Sequence, residues 1–123
     1  MTDKWHFNID DASDGINREL GPGLKQRVYP GEHVMISVIN LEPNSVGKNH
    51  SHPQEQWGFL LEGECIRVQD GESIKMKKGD FWHTPGNVSH QIITEDKKAT
   101  VIDIFAPPRK DYLKPGTGFG DAE

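Results

Sequence analysis

The sequence predicts an all-β fold, an antiparallel barrel or jelly roll, on three observations. Turn formers are frequent, with 13 glycines and 8 prolines in 123 residues. Short runs of β-branched, aromatic and alternating apolar residues recur along the chain, separated by turn signals at the spacing of a sandwich or barrel. No run is long or periodic enough to predict a helix. A closed barrel leaves an interior that can hold a small ligand.

Taken in order, residues 1–24 are polar, contain DASDG and GPG, and read as an irregular N-terminal arm. The barrel domain is expected over residues 25–113. It opens with an early strand carrying Arg27 and Tyr29, two secondary candidates for lining a pocket. Further strands are expected at HVMISVINL (33–41), QWGFLLEG (56–63), ECIRVQ (64–69), ESIKMK (72–77), DFWHTP (80–85), SHQIITE (89–95) and ATVIDIF (99–105). The turns QDGES and KKGDF supply glycine where a hairpin or bulge needs positive φ. Pro107 and Pro108 end the last strand, because neither donates to a ladder. The tail over 114–123, KPGTGFGDAE from Lys114, is glycine-rich and is expected to be flexible.

The chain is long enough for one domain with a real core, and no linker or repeat divides it. A single cysteine, Cys65, excludes an intramolecular disulfide and any cluster of two or more thiolates within the chain. That usage fits a cytoplasmic location, and the start of the chain lacks the basic-then-apolar pattern of a signal peptide. No stretch approaches the length of an apolar membrane span, so no membrane partner is expected. The formal net charge is −5, and the largest basic cluster is KMKK at 75–78, which argues against a nucleic-acid partner.

The stretch KNHSHPQEQW over 48–57 carries the chemistry. On a strand end, His50 and His52 share a face, and Gln56 can join them. A metal needs about four donors gathered in three dimensions. His90, after the turn TPGNVSH, is the expected further donor. Glu55 should point off that face, and His6, His33 and His83 fall outside the pattern. The other feature is an aspartate inside the apolar run VIDIF. A buried carboxylate is costly unless paired, so Asp103 either sits on a solvated face or lines a cavity where it has a role. Arg109 either pairs with Asp111 at the surface or curls over the barrel mouth. Trp57 and Trp82 read as core or dimer packing rather than as sugar platforms.

The two donor segments resemble the paired motifs of the cupin superfamily. The first motif, G-x5-H-x-H-x3-E-x6-G, is met by Asn44, His50, His52, Gln56 and Gly63 with every interval kept; the second, G-x5-P-x-G-x2-H-x3-N, by Gly79, Pro85, Asn87, His90 and Thr94. Departures are Asn44 and Asn87 for glycine, Gln56 for the acidic ligand and Thr94 for asparagine. Asparagine tolerates the left-handed turn expected at position 87. A neutral amide in place of the carboxylate leaves a bound cation its full double charge, a lean towards Lewis-acid rather than redox chemistry.

Over residues 27–113 the chain is similar to the small single-domain cupins of the KdgF type, the pectin-degradation proteins. The resemblance is carried by RVYPGEHVMISVINLEPN, HSHPQEQWGFLLEGE and DIFAPPRKDYL. It implies a double-stranded β-helix barrel and a metal held by His50, His52, Gln56 and His90. It further implies that 4,5-unsaturated uronates are opened to their linear keto form, with Asp103, Phe105 and Arg109 as the catalytic aspartate, aromatic and arginine. Asp103 would move a proton, Phe105 wall the ring, and Arg109 grip the uronate carboxylate. The donor set accommodates nickel, zinc, manganese, iron or copper. An iron-dependent dioxygenase and a non-catalytic small-molecule-binding cupin remain open on the same residues, and a polyketide cyclase or bacilysin-pathway isomerase also fits the ligand set. A homodimer is expected, as cupins of this size commonly pair.

Overall fold

The computed structural model describes residues 4–119. It consists of nine strands and one short 3-10 turn, Lys110–Tyr112. The strands are β1 (Ile16–Gly21), β2 (Leu24–Pro30), β3 (Met35–Leu41), β4 (Glu55–Gln69), β5 (Glu72–Lys77), β6 (Phe81–Thr84), β7 (His90–Ile93), β8 (Ala99–Ala106) and β9 (Gly116–Thr117). Their pairing order is β5-β4-β8-β3-β2-β1-β9, with β6 and β7 also pairing β4. All pairs are antiparallel except β1 with β9. No described helix is long and apolar enough to cross a membrane.

Strand β4 joins the two sheets of the barrel. Its first half, Glu55–Gly63, pairs with β8 and β6, and its second half, Glu64–Gln69, pairs with β5 and β7. The two runs expected at 56–63 and 64–69 are therefore one strand of 15 residues. It turns at Gly63, where φ is +83° and a Cβ would collide with the Lys98 carbonyl, so only glycine fits without strain. The register shift between Leu60 and Glu62 lies just before it.

Alternation along the strands divides core from surface. Leu24, Val28, Met35, Ile39, Leu41, Leu60, Val101 and Phe105 are buried in one cluster. At about 25 cal/mol per Å² of apolar surface, this cluster is the dominant stabilising element. The same inward alternation carries polar groups: Gln26 on β2, Ser37 on β3, Gln56 and Arg67 on β4, Thr84 on β6 and Asp103 on β8 are all buried.

Both chain ends correct the sequence reading. The segment 1–24 contains β1, which pairs with β2 from Ile16↔Val28 to Gly21↔Leu24. The tail contains β9, which pairs with β1 through Arg18↔Gly116 and Glu19↔Thr117. The buried Arg18 guanidinium donates to the carbonyls of Lys114, Thr117 and Gly118. Those bonds replace the apolar packing that the glycine-rich tail lacks. Residues 1–3 of the expected arm and 120–123 of the expected tail lie outside the described residues.

Candidate metal centre

Two backbone segments meet to build the site. His50 and His90 form an isolated bridge, with His50 N–H donating to His90 O at 3.0 Å and the reverse bond at 2.8 Å. The contact extends both ways, through Asn44 N–H to Glu95 O, Gly47 N–H to Ile92 O and Asn87 N–H to His52 O. Asn44 and Asn87 have φ of 59° and 67°. Asparagine is among the few residues that adopt this left-handed region readily, so these departures from glycine leave both turns intact.

The side chains of His50, His52 and His90 bring one ring nitrogen each to within 4.8 Å of one another. His52 and His90 are 2% exposed, and Gln56 is 3% exposed. Each ring is oriented by a main-chain carbonyl on Nδ1: Lys48 O at 2.8 Å for His50, Gln54 O at 3.0 Å for His52 and Val88 O at 2.9 Å for His90. A proton held on Nδ1 leaves Nε2 as the free lone pair, the arrangement a metal-binding histidine needs. Gln56 Oε1 lies 2.9 Å from His52 Nε2, and His90 Nε2 is buried without any partner.

Electrostatics reinforce the neutral state of the rings. Burial lowers His50 and His52 to about 4 and His90 to about 2, with Arg109 adding to the effect at the first two and Arg67 at the third. Deprotonated imidazoles and an orphaned buried Nε2 fit a cation between the three rings, which could therefore hold a metal. The donors are neutral nitrogen and amide oxygen, a set that suits divalent transition metals.

Asp103, Phe105 and Arg109 stand around the same space. A cavity of about 20 Å³ is lined by His50, Gln56, His90, Asp103, Phe105 and Arg109, among others. It has room for a water or an ion but not for a sugar. Of the two sequence alternatives for Asp103, the structure has the buried one: the carboxylate is 5% exposed and its Oδ1 has no partner. Burial raises it to about 6, against the pull of Arg67, Gln56 and Arg109. Phe105 packs its ring edge-on against His52, with centroids 5.6 Å apart.

Of the two alternatives for Arg109, the exposed surface position is not the one found: the side chain is 2% exposed and lines the cavity. Its guanidinium donates to Tyr112 Oη at 2.7 Å and to Phe119 O, and lies 3.8 Å from Asp111. Phe119 in turn places its ring 4.6 Å from that of His50. The tail thus closes the cavity over the histidines.

Other expected positions fall elsewhere. Arg27 and Tyr29 lie on the outer face of β2, where Arg27 donates to Ile9 O and Asp11 O and to Tyr29 Oη, so neither lines the metal cavity. Glu55 points off the donor face and is 2.6 Å from His83, while His6 and His33 are exposed. Trp82 is core, and Trp57 is 44% exposed. Sequence reasoning missed Arg67, Tyr112 and Phe119. In ECIRVQ the apolar Ile66 and Val68 suggest an inward face, yet Cys65 and Arg67 occupy it. Tyr112 had a signal, a large aromatic just after a proline pair; Phe119 in a glycine-rich tail had little.

The cupin domain family matches residues 37–105. Pectin degradation protein KdgF of Dickeya dadantii (strain 3937) is 27% identical over 109 residues, which span 87% of this chain and 97% of that protein. A gentisate 1,2-dioxygenase from a Streptomyces species is 30% identical over 89 residues, 70% of this chain but only 25% of the enzyme. Among solved structures, KdgF from a Halomonas species superposes with a TM-score of 0.78 at 24% identity, covering 89% of this chain and 100% of the other.

Proposed function

Since the chain belongs to the cupin family, we propose that it is a metal-dependent enzyme that opens 4,5-unsaturated uronates to their linear keto form without redox change. The observation that carries this reading is the enclosure of one carboxylate, Asp103, in the same cavity as His50, Gln56, His90, Phe105 and Arg109. The likeness to KdgF over nearly the whole chain supports the substrate class.

His50, His52, Gln56 and His90 would hold the metal, which would supply Lewis acidity for a sugar oxygen. The reaction is an isomerisation. One ring C–O bond breaks, a proton leaves the anomeric hydroxyl, and a proton reaches the carbon that becomes CH2. Asp103 is the residue that can carry those protons, because its Oδ1 has no competing partner. Phe105 walls the ring and keeps water from the reacting atoms. The tail contacts of Arg109 and Phe119 have to open for a sugar to reach the histidines.

The test is conversion of 4,5-unsaturated galacturonate followed by proton NMR, against a no-protein control because the sugar opens slowly by itself. The metal-loaded protein should accelerate it, and Asp103→Asn should slow it by about 10²- to 10⁴-fold, the usual range for a lost acid–base group. No acceleration by the loaded protein would sink the assignment. The partial likeness to gentisate 1,2-dioxygenase supports a second reading, an iron-dependent dioxygenase of a small organic substrate. Oxygen uptake that requires ferrous iron would select it.

The same proposal includes a homodimer. Trp57, Phe59, Phe81 and Ile104 line one apolar depression on the outer face of β4, β6 and β8, each between 38% and 63% exposed. A second copy would cover a patch of this kind. Light scattering on the eluting protein should report twice the chain mass, and Phe81→Glu should halve it; a wild-type monomer would reject the interface.

A further inference from the structure

We propose that Arg109 and Tyr112 form a two-donor carboxylate seat that the chain's own tail occupies through the Phe119 carbonyl, so that an acid ligand and the docked tail exclude one another. The inference rests on the reading that this site takes an organic acid. To that reading it adds a second donor, Tyr112, and a competitor, the tail.

The Phe119 carbonyl oxygen accepts two hydrogen bonds, one from Arg109 Nη2–H and one from the Tyr112 hydroxyl at 3.2 Å. Arg109 and Tyr112 are also tied to each other, since Arg109 Nη1–H donates to Tyr112 Oη at 2.7 Å. Both side chains are 2% exposed. The Arg18 and Arg109 guanidinia lie against the phenol ring, with Cζ atoms 4.4 Å and 4.2 Å from its centre. Two fixed donors, one of them charged, thus converge on a single oxygen atom. That is the arrangement that binds a carboxylate oxygen.

The present occupant is weaker than the seat. Four tail carbonyls, those of Lys114, Thr117, Gly118 and Phe119, accept from the buried Arg18 and Arg109. A carbonyl brings only a partial negative charge. Among the described residues Arg109 pairs with one carboxylate, Asp111, at 3.8 Å, beyond hydrogen-bond length. A buried guanidinium held in this way lacks a full counter-charge. A carboxylate oxygen in place of the Phe119 carbonyl supplies it, through hydrogen bonds roughly twice as strong. The tail competes because it is part of the same chain and so acts at a high effective concentration.

The seat adjoins the candidate metal centre. The Phe119 ring lies 4.6 Å from that of His50 while the carbonyl of the same residue lies on Arg109. The histidines and the seat are therefore within the span of one residue. Phe105 touches both sides, its ring centre 5.6 Å from that of His52 and 5.8 Å from that of Tyr112. Asp103, His50, Arg109, Tyr112 and Phe119 all line one cavity. Release of Phe119 enlarges that cavity on the side where the acid group enters. A uronate whose carboxylate takes the seat keeps its ring beside Phe105, Asp103 and the histidines.

The test uses zinc-loaded, full-length, isotope-labelled protein titrated with D-galacturonate, which lacks the 4,5 double bond and cannot undergo the reaction. Methyl galactoside is its neutral counterpart, and acetate against chloride at equal ionic strength probes the seat alone. Galacturonate and acetate should move the Phe119 amide and ring signals towards random-coil values, while the galactoside and chloride leave them in place. Phe119→Ala keeps the carbonyl but loses its apolar anchor. Galacturonate should bind this variant about 10- to 30-fold more tightly, because a scarce competent state lowers the apparent affinity in proportion. In Tyr112→Phe the acid loses a charge-assisted bond and the tail only a neutral one, so binding should weaken by about threefold or more. Galacturonate binding with Phe119 unmoved, equal displacement by the galactoside, or unweakened binding in Tyr112→Phe would overturn the seat and leave the uronate reading standing. If acetate releases Phe119 and galacturonate does not, the seat holds and the uronate reading falls. If neither acid moves Phe119, the seat is refuted. The wild-type titration decides the matter even where a variant does not fold.

Discussion

Replacing Phe119 by alanine should unlatch the tail from the histidines. The tail between Lys114 and Phe119 has one buried apolar side chain, Phe119, 8% exposed and packed on His50. Its other anchors include the two-residue strand β9, the arginine-to-carbonyl bonds from Arg18 and Arg109, the Tyr112 hydroxyl on Phe119 O and the Gly118 amide on Glu19 O. Full burial of a phenylalanine is worth about 1.5–3 kcal/mol, so truncation to alanine removes about 2 kcal/mol from docking. Since 1.4 kcal/mol is tenfold in an equilibrium constant, the open fraction should rise about 30-fold. The Gly118 amide reports this directly, because it donates to Glu19 O at 2.9 Å only while the tail is docked. Hydrogen exchange at Gly118 should accelerate by about that factor in Phe119→Ala. The Leu60 amide, which donates to Asp80 O inside the barrel, should stay protected relative to global stability. A change of less than about threefold at Gly118 would refute the reasoning, since the arginine–carbonyl bonds would then carry the docking energy.

Two further outcomes follow from burial and backbone shape. In metal-free protein, His50 and His52 titrate near 4 and His90 near 2, against 6.5 when unfolded. Between those values the unfolded chain binds protons that the folded chain refuses, so stability is lost as pH falls below 6.5, by about 2 kcal/mol per histidine at pH 5. Asp103, raised from 3.8 to about 6, acts in the opposite sense, its contribution growing as pH falls through 6, but a single group returns only about 1 kcal/mol by pH 5. Urea midpoints should therefore drop from pH 7 to pH 5, and an unchanged midpoint would contradict the buried neutral rings. Gly63→Ala should cost at least about 2 kcal/mol, combining the positive-φ penalty with displacement of the Lys98 carbonyl, and should lower the melting temperature. An unaltered melting temperature would mean that β4 does not need its bend at that residue.

The strands from β3 to β8 were legible because each has period-two alternation and is bounded by glycine, proline or aspartate turns. The donor set was legible for a different reason. A fixed spacing across two segments encodes a backbone register, and the His50–His90 bridge is that register realised. Asp103 stood out because a carboxylate in VIDIF has to be explained. What stayed hidden depends on long-range closure. β1, INRELG, reads as polar because its inward face carries Arg18, whose partners are carbonyls about a hundred residues away. β9 has no side-chain pattern, only glycine and threonine, and is held by hydrogen bonds from β1. Arg67 was hidden because the apolar Ile66 and Val68 lie on the opposite face, so alternation gave the wrong side as the interior.

Under the proposed reading, the buried charges connect Gln56 to the choice of an acidic substrate. Arg18, Arg67 and Arg109 are buried, and Asp103 is the buried carboxylate that acts on Arg67 and Arg109. Burial lowers the three histidines, and Arg109 and Arg67 push in the same direction. With a glutamate at position 56, one of those positive charges would have a permanent counter-ion beside the donor set. With the amide, the interior keeps its excess positive charge, and a divalent ion among the histidines would add to it. Such a field is relieved by an anion arriving with the substrate. The neutral donor at Gln56 therefore leaves to the ligand a negative charge that the protein withholds. A neutral sugar of the same size would bring none.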